Sequence, residues 1–116
     1  MESANLARIA YDAAMEKKAH DVVVLDVTKL TTVADYFVIA GASNKAHVRA
    51  VAENIAEKLA ENGARLDHVE GRQLSTWILL DFGSVVVHVF RDDERAFYNL
   101  ERLWGGAKPA DPCCLT

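Results

Sequence analysis

Cysteine is nearly absent from this 116-residue chain, and its only two cysteines, Cys113 and Cys114, are adjacent and follow Pro112. Neighbouring cysteines make a poor disulfide, and two thiols without further partners do not make a zinc site. Neither a disulfide framework nor a thiolate metal centre is therefore expected to organise the fold. Excess positive charge is missing too: 13 Lys and Arg stand against 17 Asp and Glu, a net charge of −4. That balance provides no broad basic surface for a phosphate backbone, so direct nucleic-acid binding is not expected; an acidic domain suits a basic protein partner. Long apolar runs are also lacking. The strongly apolar segment 85–90 is far too short to cross a bilayer, and no apolar stretch follows a basic start, so a cytosolic protein without a membrane anchor or secretory leader is expected.

Catalytic spacings are missing as well. Asp26, Asp35, Asp81, His88 and Ser43 are the residue types that could do acid, base or nucleophilic work, but none falls into a GxSxG or HExxH pattern. The four histidines, at 20, 47, 68 and 88, show no metal-ligand spacing. The expectation is a protein that is not an enzyme and needs no metal or cofactor.

Apolar residues are present in ordinary globular proportion, 51% against 26% charged, enough to build one core without staples. Helical spacing of Leu6, Ile9, Ala10 and Ala13 predicts a helix over 3–18 with Ser3 as N-cap. Residues 21–28 form a β-branched apolar run, the pattern of a strand covered on both faces and central in a sheet. A connection at 30–34 leads to a second strand, 35–42. Ser43 or Asn44 then caps a helix to about 62, with Val48, Val51, Ala52, Ile55 and Leu59 as its apolar stripe and Gly63 as its stop. A short third strand is read at 66–70.

Both tryptophans and a large share of the aromatic residues lie between 77 and 104. Two apolar runs, 77–80 and 85–90, flank Asp81-Phe82-Gly83-Ser84, which reads as a hairpin, and Asp92-Asp93 opens a helical pattern holding Phe97, Leu100, Leu103 and Trp104. Strands interrupted by helices at this spacing predict a single α/β domain over 1–105, a mixed five-stranded sheet flanked by helices, with a flexible tail at 106–116. A two-residue hairpin loop would set Asp81 opposite Ser84, Leu79 opposite Val86 and Trp77 opposite His88. Alternation would then put Trp77, Leu79, Asp81, Ser84, Val86, His88 and Phe90 on one face, and the aliphatic Ile78, Leu80, Val85, Val87 and Val89 on the other. The mixed face is either partly buried core or a recognition patch; Tyr98, Glu101 and Arg102, at the edge of the following helix, favour a patch.

In these residues the chain resembles the ribosomal silencing factor, or Iojap-like, family. The shared features are Asp35-Tyr36-Phe37-Val38-Ile39, Ser43 before the long helix, Glu70-Gly71, Trp77, Asp81-Phe82-Gly83, Val87-His88-Val89-Phe90, Arg95-Ala96-Phe97-Tyr98 and Leu100-Glu101, Leu103-Trp104. The resemblance implies a domain shaped like a nucleotidyltransferase but without its catalytic carboxylates. It further implies binding to the large ribosomal subunit through ribosomal protein number fourteen, which blocks subunit joining and represses translation when nutrients are short, and a homodimer when free. Carried over by motif, the contact residues would be Trp77, His88 and Tyr98, with Glu70, Asp81 and Glu101 as acidic partners for lysine or arginine. Two alternatives remain open at this stage: a nucleotide-binding or residual nucleotidyltransferase-like enzyme using Ser43 at the helix N-terminus, and a homodimer seam built from Trp77, Tyr98 and Trp104.

Overall fold

The computed structural model describes residues 3–28, 34–92 and 108–109. The elements are α1 (Ser3–Glu16), β1 (His20–Asp26), β2 (Tyr36–Ala42), α2 (Lys45–Glu61), β3 (His68–Glu70), β4 (Trp77–Asp81), β5 (Val85–Arg91) and a two-residue β6 (Lys108–Pro109). They form one mixed sheet in the order β3-β4-β5-β2-β1-β6. β2 and β5 are parallel; the other pairs are antiparallel. The five expected strands and the two described helices are all present. The helix expected after Asp92-Asp93 falls outside the described residues, as does most of the expected tail; Lys108 and Pro109 pair with Asp26 and Leu25.

Each boundary has a local cause. The Asn44 side chain accepts the His47 N–H at 2.9 Å and starts α2. At the other end Gly63, with φ +83°, lets the Ala64 N–H reach Leu59 O and the Gly63 N–H reach Ala60 O, closing the last turn. Helix α1 ends the same way without a glycine: Lys18 takes φ +59°, and Ala19 N–H bonds back to Ala14 O.

Both helices cover one side of the sheet. Ala7, Ala10, Ala13 and Ala14 of α1 and Val48, Val51, Ile55 and Leu59 of α2 pack on Val24, Val38, Ile78, Leu80, Val85, Val87 and Val89. Each Val, Ile or Leu so buried contributes about 1.5–3 kcal/mol. The opposite side forms its own cluster from Leu25, Val27, Phe37, Ile39, Val86 and Phe90.

One expectation is corrected here. The 21–28 run is not central: β1 lies beyond β2, and among the described residues only the two-residue β6 pairs with its outer side. Its burial is uneven for the same reason. His20 and Asp21 are exposed, while Val24 and Leu25 are buried. The register also slips between His20 and Val23, where Asp21 adopts φ +46°.

A buried polar side chain joins the two helices. Asn54 of α2, 8% exposed, donates through Nδ2 to Ala13 O at 2.8 Å and to Glu16 Oε1 at 2.9 Å. Ala13 O is one of the α1 carbonyls that the helix itself leaves without an amide partner. Asn54→Ala therefore strands a buried acceptor and should cost about 1–3 kcal/mol, read as a lower urea midpoint at unchanged slope.

Candidate functional site

The mixed face is assembled at the β3–β4–β5 side of the sheet. Pairing of Glu70 with Leu79, Leu79 with His88 and Trp77 with Phe90 places Glu70, Trp77, Leu79, His88 and Phe90 on the same side. Asp81 and His68, paired with each other, belong to it as well.

The hairpin register differs from the two-residue loop expected. Asp81 pairs with Val86, not Ser84, and Trp77 pairs with Phe90, not His88. Phe82 explains the longer turn. It is too apolar for an exposed turn tip and is buried in the helix-side core, with its N–H bonded to Val85 O at 2.9 Å. Ser84 lies in the loop rather than in the ladder. Its carbonyl accepts the N–H groups of Asp35 and Tyr36, which ties the turn to the start of β2. The slip is two residues, an even number, so the face of every strand residue is as expected.

His88 sits inside this face at 6% exposure. Its ring meets Phe37 edge-on at 5.5 Å and lies parallel to Phe90 at 6.2 Å. The Trp77 indole N–H donates to His88 Nδ1 at 3.1 Å. An indole can only donate, so Nδ1 is the acceptor and the neutral ring carries its proton on Nε2. Burial holds the imidazole neutral, lowering its pKa from 6.5 to about 4. Trp77 also stacks on Phe90 at 4.8 Å, so its half-buried ring is held flat against the sheet by two neighbours.

Outward from this aromatic group the face becomes polar. Glu70, Gly71, Trp77 and Leu79 line an open hollow of about 220 Å³. Glu70 is exposed and 3.0 Å from the His68 imidazole. Asp81 is partly committed to the turn, because its Oδ1 accepts the Gly83 N–H at 2.8 Å. The structure thus brings Glu70, Trp77, Asp81 and His88 onto one face, whereas Tyr98 and Glu101 lie outside the described residues. One exposed apolar residue near the start of β4 was passed over in the sequence. The turn between Gly71 and Ser75 carries Leu74, 69% exposed, the most exposed of the large apolar side chains among the described residues. An apolar residue inside a polar turn was the available signal.

The other polar candidates do not converge on this face. Asp26 accepts from the Thr28 N–H and hydroxyl, and Ser43 lies at the start of α2. Among the described residues no group of three His, Cys, Asp or Glu side chains could hold a metal ion.

Comparison with known proteins decides the family. The model for the family "Ribosomal silencing factor during starvation" matches residues 1–113. The chain belongs to the ribosomal silencing factor family. Among its relatives, the ribosomal silencing factor RsfS of Bacillus subtilis is 42% identical over 111 residues, covering 96% of this chain and 94% of that protein. That of Halalkalibacterium halodurans is 40% identical over 107 residues, 92% of each. A crystal structure of a Chromobacterium violaceum protein superposes with a TM-score of 0.88 at 35% identity, covering 95% of this chain and 92% of that one. In this silencing-factor domain the mixed face stands opposite α1 and α2, and among the described residues it carries Glu70, Asp81, His68 and Trp77.

Proposed function

We propose that this chain binds the large ribosomal subunit through ribosomal protein number fourteen and keeps the small subunit from joining, repressing translation under nutrient limitation. The protein acts by occupancy and catalyses nothing in this role. It works in the cytoplasm and is a homodimer when free. Family membership supports the ribosomal setting, and one observation supports the face: the half-buried Trp77 indole flanked by the exposed Glu70 carboxylate in an open hollow. Such a pair suits a lysine or arginine of a basic partner, with the cation over the ring and its charge against the carboxylate. Trp77 is the anchor, Glu70 and Asp81 are acidic rim residues, and His88 holds the indole in place from below. Tyr98 and Glu101 complete the contact set by motif.

Co-sedimentation with isolated large subunits tests this reading. Wild type should pellet with the subunits at micromolar concentration. Trp77→Ala should weaken binding by about thirtyfold, as loss of an interface anchor does, and Glu70→Lys by about tenfold through charge reversal. Glu70 is exposed, so its substitution leaves the core intact, and circular dichroism should show both variants folded. Wild type that stays in the supernatant would sink the proposal. Binding retained by both folded variants would remove this face from it.

A further inference from the structure

At one end of the parallel β2–β5 pair lies a second polar cluster that the partner-binding face does not use. The paired carboxyl ends of these strands are Ala42 and Arg91. Ser43 follows the first and Asp92 the second, while His20 enters β1 opposite Gly41. Topology therefore delivers three residues, far apart in sequence, to one spot. Asp92 Oδ2 is 2.9 Å from His20 Nδ1, and His20 Nε2 is 3.5 Å from Ser43 Oγ. Carboxylate, imidazole and hydroxyl stand in the order of an acid–base–nucleophile relay. A carboxylate on Nδ1 keeps the proton there and leaves Nε2 as the base facing the hydroxyl. The 3.5 Å contact is loose, as such contacts often are before a substrate is bound.

Three further features fit the relay. Asn44, not Ser43, caps α2, so the helix makes no use of the Ser43 hydroxyl. His47 fixes the surroundings: its Nδ1 accepts the Ser43 N–H at 3.0 Å, its Nε2 donates to Lys17 O at 2.7 Å, and its ring meets that of His20 edge-on at 5.6 Å. The group is also open to solutes, with Ser43 exposed and the His20 and Asp92 side chains 44% and 49% exposed. The crevice beyond the carboxyl ends of parallel strands is where open α/β sheets take ligands.

We infer that Ser43 is an activated nucleophile that accepts an acyl group from small activated esters, with His20 as general base and Asp92 as the positioning carboxylate. Ser43 Oγ attacks the ester carbonyl carbon while its proton passes to His20 Nε2. The bond from that carbon to the leaving oxygen breaks, and the departing alcohol takes the proton from His20. The products are acyl-Ser43 and free alcohol. Water, deprotonated by the same imidazole, then adds to the acyl carbon, and Oγ leaves with the proton as the acid is released.

The test uses the full chain and p-nitrophenyl acetate, following nitrophenolate release and locating the acetyl group by peptide mass mapping. Wild type should release nitrophenolate at least about tenfold faster than Ser43→Ala and carry the acetyl group on Ser43, and His20→Gln should lower the rate about 10²-fold. Asp92→Asn should slow the reaction, and Asp92→Glu should recover part of the rate, a rescue that a purely structural contact would not produce. All these positions are exposed, and equal melting temperatures confirm that the variants are folded. Release unchanged by Ser43→Ala, or acetyl found only on lysine or histidine, overturns the inference, because free surface imidazoles hydrolyse this ester unaided.

Discussion

Gly71→Ala should cost this domain about 3 kcal/mol or more, a large share of the stability of a chain this size. Gly71 has φ +84°, a conformation that costs an L-residue about 1–2 kcal/mol. The second cost is steric. A Cβ built on Gly71 would lie 1.9 Å from the carbonyl oxygen of Trp77 and 3.0 Å from its carbonyl carbon. Those atoms are backbone and cannot swing aside, so the edge of the sheet must move. The Gly71 carbonyl is also tied down by the Ser75 N–H at 2.9 Å. Gly63 is the control. It has nearly the same φ, +83°, but its added Cβ meets nothing within 4 Å, so Gly63→Ala should lose only the conformational 1–2 kcal/mol or so. Urea unfolding of the two variants compares the costs directly. Equal losses would show that close approach at Gly71 carries no weight. Gly71 and Trp77 line one hollow, so if that hollow is the proposed binding face, Gly71→Ala should also weaken co-sedimentation with large subunits in the fraction that remains folded.

A second large effect is expected in acid. His88 has its pKa lowered from 6.5 to about 4 by burial. Between those values the unfolded chain holds a proton on this ring that the folded chain does not. Stability therefore rises with pH across that window: it is fully present above pH 6.5 and is lost as pH falls toward 4. The depression corresponds to about 3 kcal/mol lost between neutral pH and pH 4. Protonation would also remove the acceptor for the Trp77 indole N–H, so loss of stability and loosening of Trp77 share one cause. Folding stability measured across pH 4–7 for wild type and His88→Gln checks this. The variant should be less stable at neutral pH and its profile flatter in the acid window. Parallel profiles would assign the acid sensitivity to other groups.

Much of the framework was legible because it follows from local rules. The α2 stripe of Val48, Val51, Ile55 and Leu59 reads as a helix at 3.6 residues per turn, and all four residues are buried. Alternation along β4 and β5 sorted the aliphatic side from the mixed side, and the sorting survived a misjudged turn because the error was an even number of residues. Ser43 and Asn44 were equivalent cap candidates in the sequence, since either side chain can accept an amide proton; the backbone at Asn44 decided between them. Hairpin register was less legible. It depends on where Phe82 finds burial and on what the Ser84 carbonyl bonds, and both answers lie across the sheet on other elements.

The sequence by itself determined the element types, the two faces of the hairpin and, through motifs spread along the chain, the family. Periodicity, capping and residue chemistry act within a few neighbours, which is why they can be read along a line. Tertiary structure alone decided that β1 lies outside β2 and that Trp77 is held by His88 and Phe90 together. It alone brought His20, Ser43 and Asp92 to one place, across separations of 23 and 72 residues. Strand order and long-range side-chain contacts are set by which pairings bury the most apolar surface with every backbone group bonded, a property of the whole chain that no local window contains.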